Sequence, residues 1–173
     1  MIKKILLVLL FCNICAASAA IFKDIQKPGN FVSEVFANKA PKAKKMWIKG
    51  EVKNNIEKIL QHPFSVLRLR YWKKGSQCLW IIDEIGKEEA ITFGIVVQDN
   101  EVLKAKVLTY RETRGFEIIR KAFQDQYHKT SLEKSLKLNK NIDGISGATL
   151  SVRAMSKVVR IALYLSTLTT ENE

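Results

Sequence analysis

The sequence predicts an α+β fold, with an antiparallel sheet from the middle of the chain and helices packed on it. Between residues 64 and 110, short segments alternate apolar and polar side chains with a period of two, which is typical of strands. Before and after this region, apolar residues recur at three- and four-residue spacing, which indicates helices. Helices and strands therefore come from separate runs of the chain.

The elements up to the end of the sheet follow from these patterns in order. Residues 21–45 are predicted to be a weakly patterned helical lead-in, and residues 52–60 (VKNNIEKIL) have clear helical spacing. Strands are predicted at residues 64–72, 77–83, 91–98 and 102–110. Gly75-Ser76 and Asp99-Asn100 are turn signals, so the strands beside them are expected to pair as hairpins.

The last predicted strand is amphipathic. A period of two places Leu103, Ala105, Val107 and Thr109 on one face, and Lys104 and Lys106 on the other. One face of the sheet is therefore expected to meet water.

Helices are predicted again after the sheet. Residues 116–126 have helical spacing, and residues 127–141 are polar and give no clear pattern. The strongest helix is predicted at residues 150–168, with an apolar stripe and an opposite basic face. The stripe consists of Met155, Val158, Val159, Ala162 and Leu165, and the basic face carries Arg153, Lys157 and Arg160.

The first 20 residues are predicted to be a signal peptide. Lys3 and Lys4 precede an apolar run, and Ala17-Ser18-Ala19 offers a cleavage site. A retained membrane anchor is the alternative, but the run is shorter than the about 20 residues that a spanning helix needs, and it contains Asn13. We therefore expect an exported, soluble chain of residues 21–173 that forms one domain, in the periplasm or otherwise outside the cytoplasm.

The charge of the chain restricts its partners. The sequence has 29 basic and 17 acidic residues, and Lys3 and Lys4 lie in the leader, which leaves a net charge of +10 for residues 21–173. Such an excess favours anionic partners. Export argues against nucleic acid, so acidic proteins, anionic lipid and anionic ligands remain, beside plain solubility. Cys78 is the only cysteine after the leader, so we expect a buried thiol and no internal disulfide.

A glycine-and-hydroxyl motif precedes the last helix. Residues 143–151 (DGISGATLS) place Gly144 and Gly147 in the turn, where the backbone needs freedom, and Ser146, Thr149 and Ser151 around the helix start. The N-terminus of a helix favours phosphate, so a bulky anionic ligand fits this pattern. The alternative is a simple turn in which Ser146 or Thr149 caps the helix.

This motif resembles the D-x-x-(S/T)-G-A-T-x-(S/T) signature of the FMN-binding domain family. Members include the flavin-carrying subunits of the sodium-pumping NADH:quinone reductase and Rnf complexes, and stand-alone exported flavoproteins. In the family, an ApbE-type flavin transferase outside the cytoplasm esterifies the threonine after G-A to the phosphate of FMN. The resemblance implies that Thr149 carries covalent FMN. It implies further cofactor contacts for the rest of the motif, namely Asp143, Gly144, Ser146, Gly147, Ala148 and Ser151.

A second segment upstream supports the resemblance. Residues 112–116 (ETRGF) are similar to the E-T-P-G-L loop that lies beside the flavin in the family. This implies that Glu112, Thr113, Arg114 and Gly115 line the site, with Arg114 in place of the usual proline. Arg111 and Arg114 are candidates to stabilise the negative charge of reduced flavin, and a solvated strand edge is the alternative for both. The matching region covers about residues 80–165.

Other candidate residues carry less chemistry. Trp47, Trp72 and Trp80 lie in apolar runs and are expected in the core rather than stacked on a flavin. His62 and His128 stand apart from carboxylates and cysteines at ligand spacing, so no metal site is predicted.

The sequence thus predicts an exported electron carrier with covalent FMN at the N-terminus of the C-terminal helix. The implied partners are the flavin transferase and redox proteins that donate and accept electrons, one of which could be membrane-bound. A flavin reductase subunit that acts with a partner protein remains an alternative. A non-redox exported module that binds an anion is another.

Overall fold

The computed structural model describes residues 23–170, so the predicted signal peptide at residues 1–20 lies outside the described residues. The strands are β1 Lys23–Asp24, β2 Lys44–Trp47, β3 Arg68–Lys74, β4 Gln77–Ile85, β5 Ala90–Gln98 and β6 Glu101–Tyr110. The helices are α1 Pro28–Val35, α2 Gly50–Leu60, α3 Lys121–Gln124 and α4 Thr149–Thr170, with 3-10 turns at Phe116–Ile119 and Asp125–Tyr127. Within the described part of the chain, the strands form one antiparallel sheet in the order β1-β6-β5-β4-β3-β2. This confirms the α+β fold.

The long helix α4 packs across one face of the sheet, on β4 and β5. Every residue of its predicted apolar stripe is buried, and so are Ile161 and Leu163 outside that stripe, because α2 also packs against the helix. Trp80 is fully buried and its indole Nε1–H donates to Ser166 Oγ at 2.8 Å, which confirms a core position for this tryptophan. Cys78 is buried as predicted.

The opposite face of the sheet is covered in its middle by α1. Six buried residues form a second hydrophobic cluster there, namely Phe31, Val32, Phe36, Leu79, Val96 and Leu108. Phe31 sits over Gly94, where a Cβ atom would lie only 2.4 Å from the ring. Glu34 of α1 also forms ion pairs with Lys104 and Lys106. The expectation that this face meets water is therefore wrong where the lead-in folds back over it.

Two bulges interrupt β6 and change which side chains share a face. Val97 pairs with Val102 and Val96 with Lys104, which leaves Leu103 as an extra, 42% exposed residue. A second register shift lies between Thr92 and Phe93, and Leu108 is the extra residue there. The predicted face of Leu103, Ala105, Val107 and Thr109 is therefore wrong at both ends. After the second bulge, Tyr110 faces the α4 side of the sheet.

Local differences from the predicted elements concern short segments. The helix predicted at residues 116–126 is divided into two 3-10 turns and α3. Strand β2 lies partly inside the predicted lead-in and was not expected, and β3 begins at Arg68 rather than Phe64. The amide N–H of Phe64 instead donates to Glu57 Oε1 at 2.9 Å, which ties the end of α2 to this linker. None of the helices within residues 23–170 combines the length and apolar character needed to cross a membrane.

Candidate functional site

Three separate segments of the chain enclose one pocket of about 560 Å³. They are the β4–β5 turn at Lys87, the loop Glu112–Arg114 after β6, and the start of α4 at residues 147–151. The two sequence motifs therefore meet in space. Most predicted site residues line the pocket, namely Glu112, Thr113, Arg114, Gly147, Ala148, Thr149 and Ser151. Asp143, Gly144 and Ser146 lie outside this lining, in the exposed turn before the helix.

The start of α4 leaves a hydroxyl and several amides free at the pocket. Ala148 is buried, and its carbonyl accepts the amide N–H of Val152 at 3.0 Å, so Ala148 holds the N-cap position. Neither Ser146 nor Thr149 is the cap, so the capping role in that alternative is wrong. Thr149 is the first helical residue and is exposed, and its hydroxyl has no hydrogen-bond partner among residues 23–170. The amides of the first helical turn also have no carbonyl partner inside the helix, which suits a phosphate.

Tyr110 connects the loop wall of the pocket to the helix wall. Its hydroxyl donates to the carbonyl of Arg114 and lies 3.1 Å from Ser151 Oγ. Burial raises the pKa of Tyr110, so the phenol stays protonated and remains a donor. Gly115 packs beside this pair at a φ of 85°, and a Cβ atom there would lie 2.9 Å from the Tyr110 oxygen. Gly115 therefore supports the pocket from behind.

Glu112 connects the loop wall to the β4–β5 turn. It is only 4% exposed, and its Oε1 accepts the backbone N–H groups of Lys87, Glu88 and Glu89, the latter two at 2.8 and 3.1 Å. A buried carboxylate is costly unless it is hydrogen-bonded, and here three amides satisfy one oxygen. Glu112 thus fixes two walls of the pocket relative to each other.

The structure separates the two candidate arginines. Arg111 lies on the α1 side of the sheet, where Nη1 donates to Ala90 O at 2.8 Å and to Thr92 Oγ1 at 3.3 Å. It lines a different groove of about 940 Å³. The exposed side chain of Arg114 lines the pocket beside Thr149. Only Arg114 is therefore placed to act on a ligand in the pocket.

The pocket contains one residue that the sequence analysis did not select. Lys87 lies in the polar connection between β4 and β5, which carries no motif of its own. Its only sequence signal is a cation in a short turn next to Gly86. The turn reaches the pocket because β5 lies between β4 and β6 in the sheet, which places the β4–β5 turn near the loop that follows β6.

The tryptophans lie outside the lining of this pocket. Trp47 is 59% exposed beneath the guanidinium of Arg68, so the prediction of a core position is wrong for Trp47. Trp72 is half-buried against the second hydrophobic cluster.

The histidines take part in local hydrogen bonds. His62 Nε2 lies 3.0 Å from Glu84 Oε1, and this hydrogen bond, followed by one to the carbonyl of Pro63, raises the pKa of His62. His128 Nδ1 lies 3.0 Å from the carbonyl of Leu103. Among the described residues, no group of three or more His, Cys, Asp or Glu side chains could hold a metal ion.

The donor set of the pocket suits a phosphorylated ligand. The start of α4 offers the Thr149 hydroxyl and the amides of the first helical turn, and Lys87 and Arg114 supply positive charge. No base within residues 23–170 hydrogen-bonds to the Thr149 hydroxyl.

Comparison with known proteins finds a family that matches this part of the chain. A sequence model of the FMN-binding domain family matches residues 86–164. The match begins at the β4–β5 turn and ends within α4, so it includes all three walls of the pocket. A search of curated proteins found no match to this chain.

Proposed function

Because this chain contains a domain of the FMN-binding family at residues 86–164, we propose that it is an exported electron carrier with FMN bonded to Thr149. The match to the FMN-binding domain family supports a protein that binds flavin. The covalent bond, the export and the electron transfer are our proposal. The observation that carries it is the exposed hydroxyl of Thr149, which has no hydrogen-bond partner among residues 23–170 and lies at a helix N-terminus, in the pocket that Glu112–Arg114 also line.

The attachment is a phosphodiester. Thr149 Oγ1 would form a bond to the phosphorus of an activated FMN donor while the bond from that phosphorus to the donor's leaving group breaks, and a base of the transferase would take up the hydroxyl proton. Because no base within the described part of the chain hydrogen-bonds to the Thr149 hydroxyl, we infer a separate flavin transferase of the ApbE type as the catalyst. The exposure of Thr149 supports access for that enzyme.

FMN, when bound, supplies a ring that takes up and returns electrons. The amides at the start of α4 and the side chain of Arg114 would stabilise the negative charge of a ligand in the pocket. The pocket lining offers one carboxylate, Glu112, and its Oε1 is occupied by backbone amides. This supports a carrier rather than an enzyme with its own acid and base. The carrier exchanges electrons with redox proteins, which include a membrane-bound donor or acceptor.

The mass of the mature protein tests the proposal. In a host with an active transferase, we expect the native chain to be yellow and heavier than residues 21–173 by FMN less one water. Peptide mapping is expected to place the adduct on the segment that contains Thr149. An unmodified Thr149 in such a host contradicts the proposal. If the native protein is found in the membrane fraction with Met1 at its N-terminus, the carrier is anchored in the membrane and is not soluble.

Replacing Arg114 by glutamine is expected to lower the reduction potential of the bound flavin. Arg114 lines the pocket, and its guanidinium favours the extra negative charge of the reduced form. A lost interaction of about 1.4 kcal/mol corresponds to about 30 mV for a two-electron couple, which a redox titration resolves.

Arg111→Gln is the matched control for Arg114→Gln. Arg111 lies three residues away, but its guanidinium is bonded to the Ala90 carbonyl on the other side of the sheet. We expect the reduction potential of the flavin in Arg111→Gln to equal that in the unsubstituted protein. Equal potentials for the two variants and the parent would place Arg114 away from the ring.

A further inference from the structure

We propose that Lys87 is a second cation of the flavin site and that Glu112 is the positioning residue that holds it there. The inference rests on the proposed function and deepens it, because it concerns the same pocket. It also changes the role that the family resemblance implies for Glu112. Instead of contacting the cofactor, Glu112 acts through the neighbouring turn.

The contact between Glu112 and the β4–β5 turn is specific. Three successive amides, those of Lys87, Glu88 and Glu89, point at one carboxylate oxygen, which is the geometry of a backbone anion nest. The turn approaches so closely that a Cβ atom on Gly86 would lie 2.6 Å from Glu112 Oε1 and 2.9 Å from Ile91 Cδ1. Gly86 is therefore the residue that allows the turn to close on the carboxylate.

The ammonium of Lys87 is available to a ligand. Its Nζ lies 2.8 Å from Glu88 Oε1, and the two side chains are 70% and 64% exposed. An exposed pair of this kind contributes about 0–1 kcal/mol, so it is easily exchanged for a stronger partner. An anion inside the pocket is less well screened by water and is the stronger partner.

Glu112 determines where this ammonium can reach. Lys87 belongs to one wall of the pocket and Arg114 to another, and the bonds of Glu112 hold the two walls together. With the turn in place, two cations from different segments surround the same ligand. We expect both to favour the reduced flavin, which carries more negative charge than the oxidised form.

The first test measures the reduction potential of the flavinylated protein with Lys87→Gln, Lys87→Arg and Glu88→Gln. We expect Lys87→Gln to lower the potential, where a tenfold change in the ratio of reduced to oxidised affinity corresponds to about 30 mV for two electrons. Lys87→Arg should keep the parental potential. Glu88→Gln changes the same turn but keeps the cation, so its potential should not fall. An unchanged potential in Lys87→Gln, or an equal fall in Glu88→Gln, overturns the inference.

The second test asks whether Glu112 acts through Lys87. Glu112→Gln is made alone and in the Lys87→Gln protein, and the change in potential is compared between the two backgrounds. Loss of the Glu112 charge itself raises the potential equally in both. Loss of positioning lowers it only where Lys87 is present, so we expect the change to be more negative in the Lys87 background. Equal changes in both backgrounds contradict the positioning role.

Intact mass separates the possible failures of these tests. If the parent protein carries no FMN on Thr149, the proposed function fails before any variant is compared. If the parent is flavinylated and Lys87→Gln has the parental potential, only the inference fails. Lys87 is exposed, so this variant is expected to fold even if Glu112→Gln does not.

Discussion

Replacing Thr149 by valine is expected to abolish covalent attachment of FMN. Valine has nearly the same shape as threonine but offers no oxygen for the ester bond. The measurement is the intact mass of each variant after expression with the transferase, together with flavin fluorescence of the denatured chain. Thr149→Ser keeps a hydroxyl at the same place, so we expect it to retain attachment at least in part.

The Thr149→Val substitution is expected to leave the fold intact. Thr149 is exposed, is not the N-cap, and its hydroxyl has no partner among residues 23–170. Valine and threonine also have similar helix propensities, so the free energy of unfolding should change by less than about 0.5 kcal/mol. Thr113→Val is the control, because it removes another hydroxyl from the same pocket and should keep the adduct. An adduct that persists in Thr149→Val would assign the attachment to another residue.

Alanine at Gly115 is expected to cause a large loss of stability. Gly115 has a φ of 85°, and its new Cβ atom would lie 2.9 Å from Tyr110 Oη and 3.0 Å from Ser151 Oγ. The backbone conformation costs about 1–2 kcal/mol for a residue with a side chain, and the crowding adds about 1–3 kcal/mol. We expect a total loss of about 3 kcal/mol in the free energy of unfolding, measured by urea denaturation.

Two glycines of the DGISGAT motif provide matched controls for Gly115→Ala. Gly147 has a φ of 82°, but no atom lies within 4 Å of the position that a Cβ would take, so Gly147→Ala should cost only the conformational part, about 1–2 kcal/mol. Gly144 has neither a positive φ nor a close neighbour, and Gly144→Ala should be neutral or stabilising by about 0.5 kcal/mol. A loss in Gly115→Ala no larger than that in Gly147→Ala would contradict the crowding at Tyr110 and Ser151.

Periodicity was sufficient to predict the main elements of the fold. The stripe of α4 keeps a helical period over many residues and is entirely buried, as predicted. The paired strands between residues 68 and 110 agree with the predicted hairpins within a few residues. Both signals are local and repeated, so errors at single positions do not obscure them.

The β-bulges in the sheet could not be predicted from the alternation of apolar and polar residues. The bulge at Leu108 exchanges the faces of the strand residues that follow it. It brings Tyr110 to the α4 side of the sheet and moves Arg111 to the α1 side. A period of two contains no information about where an extra residue is inserted. The cover that α1 forms over the second face was also not predicted, because the lead-in is only weakly patterned.

The parts of the candidate site that are contiguous in the chain could be selected from the sequence through a family resemblance. The motif at residues 143–151 and the loop at residues 112–115 each keep their residues together, so their resemblance to the FMN-binding domain family could be seen without a structure, and that resemblance implied Thr149 and Arg114. Tertiary contacts were required to show that Lys87 belongs to the pocket, that Glu112 turns to the β4–β5 amides, and that Arg111 lies elsewhere. These facts depend on contacts between segments more than 20 residues apart, such as Glu112 with Lys87. Such contacts are set by strand order and register, which local residue patterns do not specify.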